Sequence, residues 1–167
     1  MPEKRTIERA QRDKAEGKAP STQAGEFVRE EIEHVREGKH GVRSTKQAIA
    51  IGLSKARRAG VGLRPPKEGT TSEKTRESAE RAYERGQGAA PKRAASPKRG
   101  RATTRALKRE GHEAASPQAL RRQARSAASR RSPSSRSAAA RKAARTKGPA
   151  GRKAAAKKAA RTRSREA

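Results

Sequence analysis

Large apolar residues recur at helical spacing in one stretch of this chain. Ala24, Phe27, Val28, Ile32 and Val35 share one face of a helix, while Glu30, Glu31, Glu33, Arg36 and Glu37 fill the remainder as a solvated face. Ser21 and Thr22 offer its N-cap, with Glu26 close enough to favour the positive helix end, and Gly38 is placed to stop it as a left-handed cap residue. After the loop Gly38-Lys39-His40-Gly41, the caps Ser44 and Thr45 open a second helix whose stripe is Ile49, Leu53 and Ala56. Gly52 on that stripe lets another backbone come close, and Gly60 and then Pro65-Pro66 close the unit. The pattern predicts a helical hairpin over residues 21–64. A hairpin with so few large side chains is marginal alone, which predicts a homodimer through it or a third helix docked on it. Residues 65–90 form a linker holding that third helix (72–85, with Ala79, Ala82 and Tyr83, capped by Ser72). Residues 1–20 are helix-prone but carry one large apolar anchor, Ile7, and are expected to stay mobile.

Charge changes the picture beyond residue 90. The chain has 167 residues, 45 Lys and Arg against 17 Asp and Glu, a formal charge of +28, 1% aromatic residues and no Cys. Residues 1–90 hold 20 basic and 14 acidic residues; 91–167 hold 25 basic residues and only Glu110, Glu113 and Glu166 as acids. Leu107 and Leu120 are the only large aliphatics of this second part, so any large core must come from the first. Such a segment repels itself and has little to collapse around, which predicts disorder. The expected fold class is therefore all-α: a small helical hairpin, or three helices, followed by a long intrinsically disordered basic tail. No apolar run reaches the length of a membrane span and the opening residues lack the apolar stretch of a signal peptide, so neither a membrane partner nor export is expected.

The tail repeats. Aligned at 118–133, 134–149 and 150–165, its blocks read QALRRQARSAASRRSP, SSRSAAARKAARTKGP and AGRKAAAKKAARTRSR, with Pro117, Pro133 and Pro149 at equal spacing. Each joins alanine to dense positive charge and ends at a break. Neutralised on a phosphate backbone, each block could become a short basic helix; equally, the tail could stay fuzzy while bound. Candidate nucleic-acid contacts are Lys39, Arg43 and Lys46 around the loop, then Lys98, Arg99, Arg101, Arg125, Arg131, Arg141, Lys142, Lys147, Lys153, Lys157, Lys158 and Arg163. The aromatic platforms that grip single strands are missing, and nothing supplies a base-reading code. Ser96-Pro97, Ser116-Pro117 and Ser132-Pro133 serve either as helix punctuation or as phosphorylation sites that would weaken binding to phosphates.

Catalytic and cofactor chemistry is not expected. His34, His40 and His112 are the only histidines. Glu30 and His34 share a helix face, with Glu37 three residues on from His34, but without Cys or His-x-x-His spacing a solvated face reads better than a metal site. The spacing of a nucleotide-binding loop is absent.

Lys39-His40-Gly41 followed by Thr45 to Ser54 and Ala56-Arg57 resembles the motif of an uncharacterised bacterial family of small basic proteins, often with Ala/Lys tails. The resemblance implies no assigned activity, although some members are labelled DNA-binding. Ser96-Pro97-Lys98-Arg99 is similar to the Ser-Pro-basic-basic motif of histone tails, and the tail as a whole resembles those of linker histones and bacterial histone-like proteins, with more Arg than linker histones use. Together these readings predict a non-enzymatic, sequence-tolerant DNA-binding protein of the bacterial nucleoid. The alternatives are RNA or ribosome association, or a protein-interaction hairpin with a stress-protective polycationic tail.

Overall fold

In a computed structural model describing residues 2–89 and 96–166, all regular structure is helical. The elements are α1 (Lys4–Ala15), α2 (Pro20–Arg36), α3 (Thr45–Arg58), α4 (Glu73–Gly86), α5 (Pro97–Lys108), a single 3-10 turn (Glu113–Ala115), α6 (Pro117–Ser129) and α7 (Pro133–Glu166). Contacts divide the chain into two units, 1–123 and 124–167. The boundary expected at 90/91 lies outside the described residues.

The expected hairpin is present as α2 and α3, and its punctuation follows from side-chain chemistry. Ser44 Oγ accepts from the Gln47 amide at 3.2 Å, satisfying one free N–H of α3. Gly38 adopts φ 74°, and the Lys39 amide returns to the His34 carbonyl at 3.0 Å. At the far end Gly60, with φ 88°, lets the Val61 amide reach the Ala56 carbonyl at 3.1 Å. Gly52 does allow close approach: a Cβ there would stand 2.6 Å from Val28 Cα. The start of α2 differs from expectation. It begins at Pro20, whose missing N–H costs nothing in the first turn, and Ser21 and Thr22 lie inside the helix.

Around this hairpin the unit is larger than the hydrophobic pattern indicates. Instead of a mobile segment, α1 is packed on α2, with Ala10 joining Ala24, Phe27, Ala56 and Val61 in one apolar cluster beside Ile7, Leu53 and Leu63. Its contact face is small and polar (Thr6, Ala10 and Asp13 are buried), so no apolar stripe advertises it. Polar ties fix it instead: the Glu3 amide donates to Glu30 Oε2 at 3.0 Å, and Lys18 Nζ lies 2.7 Å from Asp13 Oδ1. The third helix forms as α4, burying Ala79 and Ala82, with Gly86 against the Arg57 backbone, where a Cβ would overlap the carbonyl.

The expectation of a disordered tail is corrected twice. First, residues 107–119 belong to the core of unit 1. Ala115 is 0% exposed in a second cluster with Val35, Val42 and Ala48. Thr45 Oγ1 donates to the Ala114 carbonyl at 2.6 Å, Arg36 Nε to the Ala115 carbonyl at 2.9 Å, and the Gly41 and Val42 amides to Leu107 and Gly111 carbonyls at 3.0 Å each. Gly41 is required there, since a Cβ would overlap the Glu110 carbonyl. Second, the repeat blocks are helical. Their alanine, arginine and lysine content has high helix propensity, and a proline opens each helix at Pro117 and Pro133. Within unit 2, α7 is interrupted at Gly148 (φ 63°, ψ 175°), an extended-ψ glycine conformation suited to the position before Pro149. The 16-residue period is thus the period of the helix breaks.

Two glutamates placed on the solvated face of α2 turn inward. Glu30 is 3% exposed and Glu31 0%. Lys55 of α3 reaches both, at 3.1 Å to Glu30 Oε1 and 2.7 Å to Glu31 Oε2. Burial pushes the Glu30 pKa up, but hydrogen bonds from Thr6, the Glu3 amide and Lys55 outweigh it, leaving the pKa below the usual carboxylate value.

Candidate nucleic-acid interface

The cations around the first loop do not act as one group. Lys39 Nζ is held 3.0 Å from Glu37 and 3.2 Å from Glu3, and hydrogen bonding to those carboxylates, Glu37 first, raises its pKa. Arg43 is 82% exposed and lies 3.2 Å from Glu110, while its amide donates to Gln47 Oε1. Lys46 is exposed in the first turn of α3 and has no ion pair among the described residues. Lys39 and Arg43 are therefore each paired with an acid of their own chain, Arg43 from a largely exposed position, and Lys46 remains available at a helix N-terminus that favours anions.

On α5, Lys98, Arg101, Arg105 and Lys108 fall at i, i+3, i+7 and i+10, one face of a helix about 18 Å long at 1.5 Å per residue. Arg109 follows, and Arg99 lies off this stripe. No residue of α5 is buried, so the face is open to a partner. The Leu107 side of the helix borders a groove of about 540 Å³ between α3, α4 and α5. Arg58, Arg81 and Arg85 line it with Ser54, Ser78 and Thr103, above Ile51, Ala82 and Leu107. Arg81 is 3.3 Å from Glu77, and Arg58 Nε donates to its own helix at Ser54. These three arginines escape a sequence reading because they sit in the nearly neutral half; the Arg81/Arg85 spacing of four was the available signal. Arg57, by contrast, points inward. It is 6% exposed, donates to the Leu63 carbonyl at 3.1 Å, and burial lowers its pKa.

Residues 114–165 contain 17 Lys and Arg and no acid. Among the described residues none of these cations is in an ion pair, and the α7 side chains described are almost all exposed. Along α7 the cations of one limb recur in the next sixteen residues later: Arg136 and Arg152, Arg141 and Lys157, Lys142 and Lys158, Arg145 and Arg161, Lys147 and Arg163. At 100° per residue these positions are distributed around the whole helix rather than along one stripe. Lys153 adds to the second limb, and Arg125 and Arg131 lie before the first. Unlike α5, each limb presents positive charge on every side.

The three Ser-Pro pairs are helix starts. Ser96, Ser116 and Ser132 Oγ accept from the Arg99, Ala119 and Ser135 amides at 3.5, 3.2 and 3.2 Å. Among the described residues no helix is long and apolar enough to cross a membrane. No curated protein and no solved structure matches the chain. Residues 3–68, from the start of α1 to just beyond Pro65-Pro66, match a family of unknown function, DUF6496, in line with the resemblance to an uncharacterised family.

Proposed function

We propose that this chain is a non-enzymatic, sequence-tolerant DNA-binding protein, histone-like in manner, that neutralises duplex phosphates and compacts or bridges duplexes. The observation that carries the reading is the acid-free run 114–165, whose 17 cations include no ion-paired side chain among the described residues. Cations spread along a run with no acid favour the phosphate backbone over base edges, which fixes affinity without reading sequence. Charge on all sides of each α7 limb suits contact with more than one phosphate strand. The α5 stripe is narrower and suits one groove or one backbone, since a helix with its side chains is about as wide as the major groove. In a bacterial cell the place for such a protein is the nucleoid.

Phosphate recognition alone does not choose a polymer, so structured RNA is the second ligand to test. Full-length protein is titrated into labelled duplex DNA with unlabelled duplex or structured RNA as competitor at matched salt, beside a chain ending at residue 123. That end point keeps Ala115 and its hydrogen bonds, which a cut at residue 90 would remove. The proposal expects duplex DNA to compete at least as well as RNA, and the shortened chain to bind far more weakly. Preferential competition by RNA moves the protein to the RNA class. Equal binding by the two chains removes the tail from the mechanism. Phosphorylation at Ser96, Ser116 or Ser132 is expected to weaken binding by subtracting about 1.5–2 charges per site.

A further inference from the structure

A cluster on the opposite kind of chemistry lies where α2 ends. Glu31 is 0% exposed, yet neither carboxylate oxygen has an aligned hydrogen bond. Lys55 Nζ, 2.7 Å from Oε2, balances one side by charge. On the other side His40 Nε2 stands 3.2 Å from Oε1. The other ring nitrogen of His40, Nδ1, is 3.1 Å from the Gly41 carbonyl, which can only accept, so Nδ1 carries the proton of the neutral ring. With its proton on Nδ1, a neutral His40 ring would turn the Nε2 lone pair toward the buried Glu31 carboxylate. That arrangement calls for a cation between them, either a second ring proton or a metal ion.

His34 completes the group. It follows Glu31 by three residues on α2, and one ligand atom each from Glu31, His34 and His40 lie within 4.8 Å of one another. His34 Nε2 is also 2.9 Å from Glu3 Oε1. Four ligands about 2.1 Å from a metal in a tetrahedron are about 3.4 Å apart, so modest side-chain rotation closes the set. We propose that Glu31, His34 and His40 form a binding site for a zinc-type divalent transition metal ion. Two imidazoles and one carboxylate suit such an ion rather than calcium or magnesium, which prefer oxygen. A backbone carbonyl orienting the ligating ring, as Gly41 does for His40, is the usual outer contact of a metal-bound histidine. Lys55 on Oε2 leaves Oε1 for single-oxygen ligation, and a water or Glu3 would take the fourth position. The ion would join α2 to the loop that follows it.

The test uses untagged full-length protein, stripped with chelator and titrated with Co²⁺ followed by visible absorption, then with Zn²⁺ in competition. One saturating equivalent with a tetrahedral Co²⁺ spectrum, displaced by Zn²⁺ and not by Mg²⁺, is expected. His34→Gln and His40→Gln should each weaken binding at least tenfold, and His112→Gln should not. Should the variants lose their helical circular dichroism, wild-type histidine NMR decides: one equivalent of Zn²⁺ shifts the ring signals of His34 and His40 and leaves those of His112. No saturable signal, equal displacement by Mg²⁺, or unchanged binding by folded His34→Gln and His40→Gln chains overturns the proposal.

Discussion

If residues 107–119 are part of the folded unit, a single charge placed at Ala115 should release them. Ala115 is 0% exposed against Val35, Val42 and Ala48. The segment's backbone carbonyls accept four hydrogen bonds, from Thr45, Arg36 and the Gly41 and Val42 amides. Three neutral bonds at about 1 kcal/mol and one from a guanidinium at about 2 kcal/mol give about 5 kcal/mol gross. The Ala115 methyl adds about 0.8 kcal/mol. An unpaired carboxylate in that cluster costs several kcal/mol, comparable with everything that holds the segment. Ala115→Asp should therefore open the segment while leaving α2 on α3. Amide hydrogen exchange reads this directly, because the Val42 and Gly41 amides are protected only by Gly111 and Leu107. Their protection should fall at least about a hundredfold, equivalent to about 2.7 kcal/mol, while amides in the middle of α3 keep theirs. Ala115→Gly, which removes one methyl, should cause a much smaller change. Unchanged protection of Val42 in Ala115→Asp would refute the docking of this segment.

Other positions give independent checks. Gly52→Ala forces a Cβ to within 2.6 Å of the α2 backbone, so thermal melting should show a loss of about 1–3 kcal/mol. Ser44→Ala removes the α3 cap and should cost about 1 kcal/mol in urea unfolding. Lys55→Met strands the buried Glu31 and should cost about 3–5 kcal/mol, whereas Lys55→Met with Glu31→Leu should recover much of it. Because the Glu30 pKa is lower folded than unfolded, its contribution is fully present above the unfolded carboxylate value and is lost as pH falls through the folded one. Glu30→Gln should flatten that part of the stability profile below about pH 4.5.

What the sequence reveals depends on whether a contact is made by large apolar groups. The α2–α3 hairpin is legible because Phe27, Val35 and Ala56 recur at helical spacing and because Gly38, Gly52 and Gly60 each meet a backbone need that other residues meet poorly. The docking of α1 is not legible, since Thr6, Ala10 and Asp13 form a contact face without a hydrophobic stripe. The docked part of the tail left a trace: Leu107, Leu120, Glu110 and Glu113 gather in one short stretch of an otherwise nearly acid-free segment. The dense positive charge of the surrounding segment masks that trace. Glu31 shows the same bias, because a glutamate among glutamates reads as solvated until Lys55 and His40 of other elements are brought to it. Of the candidate interface, the cationic tail and its period are read from sequence alone, whereas Arg58, Arg81 and Arg85 become neighbours only through the packing of α3 and α4.

The salt dependence of duplex binding tests the central claim most directly. Each phosphate neutralised contributes about 0.9 to the slope of log affinity against log salt, so engagement of about ten of the chain's cations gives a slope near −9. Fluorescence anisotropy of the full chain on two unrelated duplexes, across a series of salt concentrations, should give that steep slope and nearly the same affinity for both sequences. A slope near zero, or strong preference for one duplex at every salt concentration, would contradict it.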